Sequence, residues 1–156
     1  MDQTLLQRVL DGDPEAKAQF GGSEHCAVID WRDGAPEIVD AVASFLPDGH
    51  LVIGRLTERS CELVVQGKPP ILAELSSKAA QEQLLFCIGN AIAPEYELRQ
   101  FRPMDGDSYS IFVAPRSVWA GIDSEHPRAA ERLFLSAQRL AAYCSKGFLA
   151  RMLSRP

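Results

Sequence analysis

The sequence predicts an α+β fold: one domain over residues 1–156, with a largely antiparallel sheet, mixed pairing left open, covered by helices and closed by a long C-terminal helix. Three observations carry this. From Leu84 to Trp119 a helical apolar stripe, a proline break, a β-rich run, an Asp-Gly turn and a second β-rich run follow one another. Between Leu51 and Leu75, β-rich runs lie too close together for crossover helices, which favours an antiparallel meander. No repeat, low-complexity tract or long linker divides the 156 residues, a length that buries a continuous core without metal or disulfide staples.

The elements follow in chain order. Leu5, Leu6, Val9 and Leu10 recur at helical spacing, and Asp13-Pro14 offers an N-cap with proline at the next helical position. Two short helices or one broken helix satisfy this, ended by Gly21-Gly22. His25 to Trp31 reads as a buried strand that leaves the sheet at Asp33-Gly34. Pro36 opens a helix whose face is Ile38, Val39, Val42, Phe45 and Leu46, stopped by Pro47-Asp48-Gly49. Strands are expected at Leu51–Leu56, Cys61–Val65 and Ile71–Leu75.

Ser76 or Ser77 can cap a helix with Ala80, Leu84, Ile88 and Ile92 on one stripe and Leu85 beside it, ended by Ala93-Pro94. Tyr96–Arg102 and Ser108–Ala114 flank Asp105-Gly106-Asp107 as a hairpin. A short turn after Pro115 carries Val118 and Trp119. Pro127 then opens a long helix through Ala130, Leu133, Ala137, Leu140, Ala141 and Cys144, with Gly147 interrupting it.

Composition narrows the function classes. Hydrophobic residues make up 46% and charged residues 24%, an ordinary globular balance. A net charge of −5 and a pI near 5.2 argue against affinity for nucleic-acid phosphates or anionic membranes. No signal-peptide pattern opens the chain and no apolar run spans a bilayer, so a cytoplasmic location is expected. Cys26, Cys61, Cys87 and Cys144 are widely spaced among apolar neighbours and read as buried thiols.

Charge is also uneven. The first fifty residues carry Asp2, Asp11, Asp13, Glu15, Glu24, Asp30, Asp33, Glu37, Asp40 and Asp48 against Arg8, Lys17 and Arg32. After Pro127, Arg128, Arg132, Arg139, Lys146, Arg151 and Arg155 face only Glu131. Such asymmetry either orients a partner or pairs one end of the molecule with the other.

Catalytic chemistry finds no support. His25 and Cys26 are adjacent, and neighbours on a strand point to opposite faces. His50 and His126 sit beside a turn and a helix start, where solvated or capping histidines are ordinary. Asp105-Gly106-Asp107 lacks the remaining ligands of a calcium loop, and Asp11-Gly12-Asp13 reads as a helix terminus. Phosphate-binding glycine loops and the nucleophile elbow are absent from the sequence, so neither catalytic residue, metal nor cofactor is expected.

The more informative cluster is Asp30-Trp31-Arg32-Asp33: an aromatic between both charge signs at a strand end has the composition of a binding hot spot, against the alternative of a tryptophan sealing the core edge. Trp119, beside Val118 and Ile122, reads as core. Arg99 and Arg102 either face an acidic partner or pair with Glu97 and Asp107.

Asn90-Ala91-Ile92-Ala93-Pro94-Glu95-Tyr96-Glu97-Leu98-Arg99, then Asp105-Gly106-Asp107 and Pro115 to Trp119, resembles small uncharacterised bacterial proteins that share an N-x-x-x-x-P-x-Y-E-[IL]-R segment, an Asp-rich turn and a Pro…Trp end. In size, acidity and lack of catalytic apparatus the chain also resembles immunity proteins encoded beside antibacterial toxins. That resemblance implies a non-enzymatic protein that neutralises a specific protein partner. The element order from His50 onward is similar to class I type III secretion chaperones, apart from the intervening strand at His25 and helix at Pro36. This alternative implies a homodimer, seamed by the long C-terminal helix, that wraps an extended effector segment. An enzyme of another class is the third reading.

Overall fold

Period-two alternation in the β-rich runs and 3.6-residue stripes between them produce an α+β domain with two antiparallel sheets. The computed structural model describes residues 3–76, 80–104 and 108–139. Helices α1 (Gln3–Asp11) and α2 (Pro14–Phe20) lead to β1 (Ala27–Asp30) and α3 (Ala35–Ala43). Strands β2 (Leu51–Leu56), β3 (Ser60–Val65) and β4 (Ile71–Glu74) precede α4 (Ala80–Ile92). Strands β5 (Tyr96–Phe101) and β6 (Ser108–Pro115) follow, then α5 (Arg116–Glu125), α6 (Pro127–Leu133) and β7 (Phe134–Ser136).

The expected single sheet is divided. One sheet has the order β1-β6-β5-β7, and the meander β2-β3-β4 forms a separate one. The division follows from where α3 and α4 lie. Helix α3 touches both β1 and β2, while α4 touches β5 on one side and β3 and β4 on the other, so the two helices fill the space between the sheets. Leu84, Leu85, Cys87, Ile88, Ala91 and Ile92 of α4 are all buried, a wider arc than one sheet requires. At Gly89 an added Cβ would lie 3.1 Å from that of Ala137, so the glycine lets this helix seat closely.

The four-stranded sheet is buried on both faces, and β6 reads accordingly as the continuous run Ser110 to Ala114. Ile111 and Val113 join the core that includes α3 and α4. Phe112 and Ala114 face a second core with α1, α2, α5 and α6, where Phe20, Phe101, Phe112, Trp119 and Phe134 pack ring against ring.

Local chemistry sets the boundaries. The Asp13 carboxylate accepts from the Glu15 and Ala16 amides at the start of α2 and pairs with Arg8 of α1 at 2.6 Å. Lys68, in the turn before β4, donates to the Ala91 and Ala93 carbonyls at the end of α4 and to Glu95. The Ala93-Pro94 peptide is cis.

Three expectations are corrected. The long helix from Pro127 stops at Leu133, because Phe134 to Ser136 turn extended and pair with Arg99 to Phe101 as an edge strand. Phe134 enters the aromatic core, 5.1 Å from the Trp119 ring and 5.4 Å from Phe101, and this tertiary packing overrides the helical stripe. Ala130, Leu133 and Ala137 of this face are buried within the chain. The turn after Pro115 is the ten-residue helix α5, whose Trp119 and Ile122 pack on the sheet. The first strand starts at Ala27, since the His25 and Cys26 amides both donate to the Gly22 carbonyl in a turn.

The Asp105-Gly106-Asp107 turn, Ser77, and Leu140, Ala141, Cys144, Lys146, Gly147, Arg151 and Arg155 lie outside the described residues. The hairpin it was expected to join is present, with Leu98 opposite Val113 and Gln100 opposite Ile111. No helix among the described residues is long and apolar enough to cross a membrane.

Candidate functional site

Strand β1 ends at Asp30, and the next residues turn sharply into α3. The Asp33 carboxylate accepts from the Asp30 amide at 2.7 Å, and the Asp33 amide donates back to the Asp30 carbonyl at 3.0 Å. The Asp30 carboxylate accepts from the Arg32 amide at 3.0 Å and from the Arg32 guanidinium at 2.9 and 3.1 Å. Gln81, entering from α4, donates one amide group to the carbonyls of Asp30 and Asp33 at 3.0 and 2.8 Å. Glu37, one turn into α3, accepts from the Gly34 amide.

Trp31 stands at the centre of this framework and is 65% exposed, the most exposed large apolar side chain among the described residues. It is therefore not a seal on the core. The Arg32 guanidinium lies 5.6 Å from the centroid of its ring. Hydrogen bonding to the Arg32 side chain, then to the Arg32 amide, holds the Asp30 carboxyl well below its usual value, at about 2. On the exposed side of α3, Glu37 and Asp40 add further acidity.

The edge of β1 is closed at the same place. The Asp30 amide and carbonyl, which an added strand would need, are taken by Asp33 and Gln81. The turn presents an exposed aromatic side chain from a hydrogen-bonded backbone, and it disfavours recognition by strand addition.

Arg99 is a different case. Its Nε donates to Glu97 at 2.6 Å, its two terminal nitrogens reach Asp123 at 2.7 Å each, and its guanidinium stacks 4.1 Å from the Trp119 centroid. Of the two expectations for Arg99, internal pairing holds, with Asp123 joining Glu97. Arg102 sits half-buried in a 3₁₀ turn, Arg102–Met104, after β5, which β6 separates from β1. The structure thus brings Asp30, Trp31, Arg32 and Asp33 together and leaves Arg99 and Arg102 in other settings.

Searches of protein-family models, of curated proteins and of solved structures find no match to this chain. The reading of function rests on its own residues.

Trp119 is core as expected, 1% exposed, with its indole Nε1 donating to the Glu97 carbonyl at 2.9 Å. His25 stacks on Phe20, and the neighbouring Cys26 Sγ donates to the Phe20 carbonyl. Burial raises that thiol to about 12 and pushes those of Cys61 and Cys87 up, which withholds the thiolate a nucleophile requires. The His50 ring lies edge-on to Tyr96, its Nε2 buried without a hydrogen-bond partner among the described residues. A groove of about 390 Å³ beside β7 is lined by Arg99, Asp123, Glu131, Phe134, Ser136 and Arg139. Its deepest cation is the Arg99 already paired with Asp123 and Glu97.

Sequence reasoning missed Gln81 and Glu37. Gln81 carries no local signal, because it acts on carbonyls some fifty positions earlier in the chain. Glu37 had one: it stands three residues after the helix-capping Gly34, the spacing at which a carboxylate reaches back to the cap amide.

Proposed function

We propose that this chain is a non-enzymatic protein that binds and neutralises a specific protein partner in the cytoplasm, as an immunity protein does its cognate toxin. The observation that carries the reading is Trp31: a large aromatic, mostly exposed, on a turn fixed from three directions by Asp33, Arg32 and Gln81. Exposing an indole to water is unfavourable by its apolar area, and fixing the backbone that carries it before binding lowers the ordering cost of association. Trp and Arg side by side are the residue types that dominate binding energy at protein interfaces.

The mechanism is occlusion. Trp31 enters an apolar pocket at the mouth of the partner's active cleft, and the acidic surface of α3, Glu37 and Asp40, faces basic residues at its rim. An acidic inhibitor suits a partner whose cleft is basic, and net charge of the opposite sign raises the association rate.

The experiment is genetic and biochemical. A toxin gene adjacent to this one, one partner recovered in stoichiometric amount, and toxin sensitivity in a strain lacking this protein are expected. Normal resistance in the deletion strain, with the partner expressed, would overturn the reading.

A further inference from the structure

The Trp31 turn carries more negative charge than it neutralises. The Asp33 amide donates to the Asp30 carbonyl, so Trp31 and Arg32 are the central residues of a β-turn, with an aspartate at either end. Glu37 folds back onto the same loop, its Oε2 3.1 Å from the Gly34 amide. Asp30, Asp33 and Glu37 therefore stand beside one guanidinium, and Arg32 is committed to Asp30 through two side-chain bonds of 2.9 and 3.1 Å. Asp33 and Glu37 are in no ion pair among the described residues. No lysine or arginine occurs in the sequence between Arg32 and Arg55, and the side chain that reaches the turn from α4 is the neutral Gln81.

The indole already accepts one cation. The Arg32 guanidinium lies 5.6 Å from the Trp31 centroid, within the range at which the ring's negative face attracts it, yet Trp31 remains 65% exposed. We infer that an arginine side chain of the protein partner stacks on the open part of the Trp31 ring and pairs with Asp33 and Glu37. This rests on the reading of Trp31 as an anchor and names the group that meets it.

Each part of an arginine has a counterpart at the turn. Its methylene stem covers apolar ring surface, its planar guanidinium stacks on the indole, and its forked donors match a carboxylate. Lysine supplies the charge without the planar stack. An apolar partner would take Asp33 and Glu37 out of water with no counter-charge, and an acidic one would be repelled.

Titration of the purified full chain with blocked tripeptides tests this by NMR, read at the Trp31 indole Nε1–H, which the spectrum of Trp31→Ala identifies by its loss. Acetyl-glycyl-arginyl-glycinamide should shift that signal with a Kd of about 1–10 mM, the scale of a single exposed contact. The citrulline analogue, of the same shape without the charge, should bind about fivefold more weakly or worse, and the lysine analogue about two- to threefold more weakly. Asp33→Asn with Glu37→Gln keeps both hydrogen-bond acceptors of the loop and should weaken the arginine peptide by about threefold or more. Equal affinity for the arginine and citrulline peptides, lysine bound as tightly as arginine, no shift at about 20 mM peptide, or unchanged arginine affinity in the folded double variant would each overturn the assignment. The peptide comparison needs only wild-type protein, so it decides the matter even if the double variant fails to fold. The titration contains no toxin: a null result refutes the arginine and leaves neutralisation standing, whereas normal resistance in the deletion strain refutes neutralisation and leaves the titration to be read by itself.

Discussion

Replacing Trp119 by alanine probes the aromatic core that organises half of the molecule. The side chain is 1% exposed, with Phe112 at 5.2 Å and Phe134 at 5.1 Å, both edge-on, and the Arg99 guanidinium 4.1 Å from its ring centroid. A buried Trp→Ala change costs about 3–5 kcal/mol through lost burial and the cavity left behind. Loss of the Nε1 bond leaves the Glu97 carbonyl without this donor, a further ~1 kcal/mol. Against a total stability of about 5–15 kcal/mol, the variant should sit near the folding threshold. For a chain of this size each kcal/mol lowers Tm by about 2–4 °C, so a fall of roughly 10 °C or more is expected. Trp119→Phe keeps most of the ring and loses the hydrogen bond, and should cost only about 1–2 kcal/mol. Urea unfolding of both variants by circular dichroism gives the two values. Trp119→Ala within 1 kcal/mol of wild type would mean that the ring cluster does not hold α5 on the sheet.

The other perturbations test separate links. Leu84→Asp or Ile88→Asp places a carboxylate on a fully buried face of α4, at a cost of several kcal/mol, and should leave little soluble folded protein; near-wild-type melting would mean that face is not core. Lys68→Ala removes the donor to the Ala91 and Ala93 carbonyls and should destabilise the chain by about 1–2 kcal/mol, with faster amide exchange at the end of α4; unchanged exchange would refute the capping role. The Asp30 carboxyl, depressed to about 2 by Arg32, contributes stability that is complete above its unfolded value of about 3.9 and lost as pH falls toward 2. Carboxyl NMR should place its titration below pH 3 in the wild type and closer to 4 in Arg32→Gln; equal midpoints would show that the Arg32 side chain does not hold the turn.

Elements whose signals are local were legible in the sequence. The α4 stripe, the Pro14 and Pro36 helix starts and the β5–β6 pair stand where periodicity, caps and proline place them. Ala130, Leu133 and Ala137 keep the helical spacing that predicts one long helix, although Phe134 breaks away between them to complete a distant sheet. Helix α5 leaves a weak signal in the sequence, because only Trp119 and Ile122 mark its buried face. The second sheet was invisible, since no residue of the meander states that α4 will lie between it and β5. At the candidate site the composition of Asp30 to Asp33 was legible and its rigidity was not, because Gln81 arrives through tertiary structure.

The central claim is that Trp31 is an anchor for a protein partner and not a structural residue. The direct test is a calorimetric titration of the purified partner, recovered with the wild-type chain, into wild type and Trp31→Ala, with a melting curve for each. The account predicts melting within about 0.5 kcal/mol of wild type, as for other exposed positions, and binding weakened by about 2 kcal/mol or more, roughly thirtyfold in Kd. Unchanged affinity, or unfolding of Trp31→Ala, would contradict it.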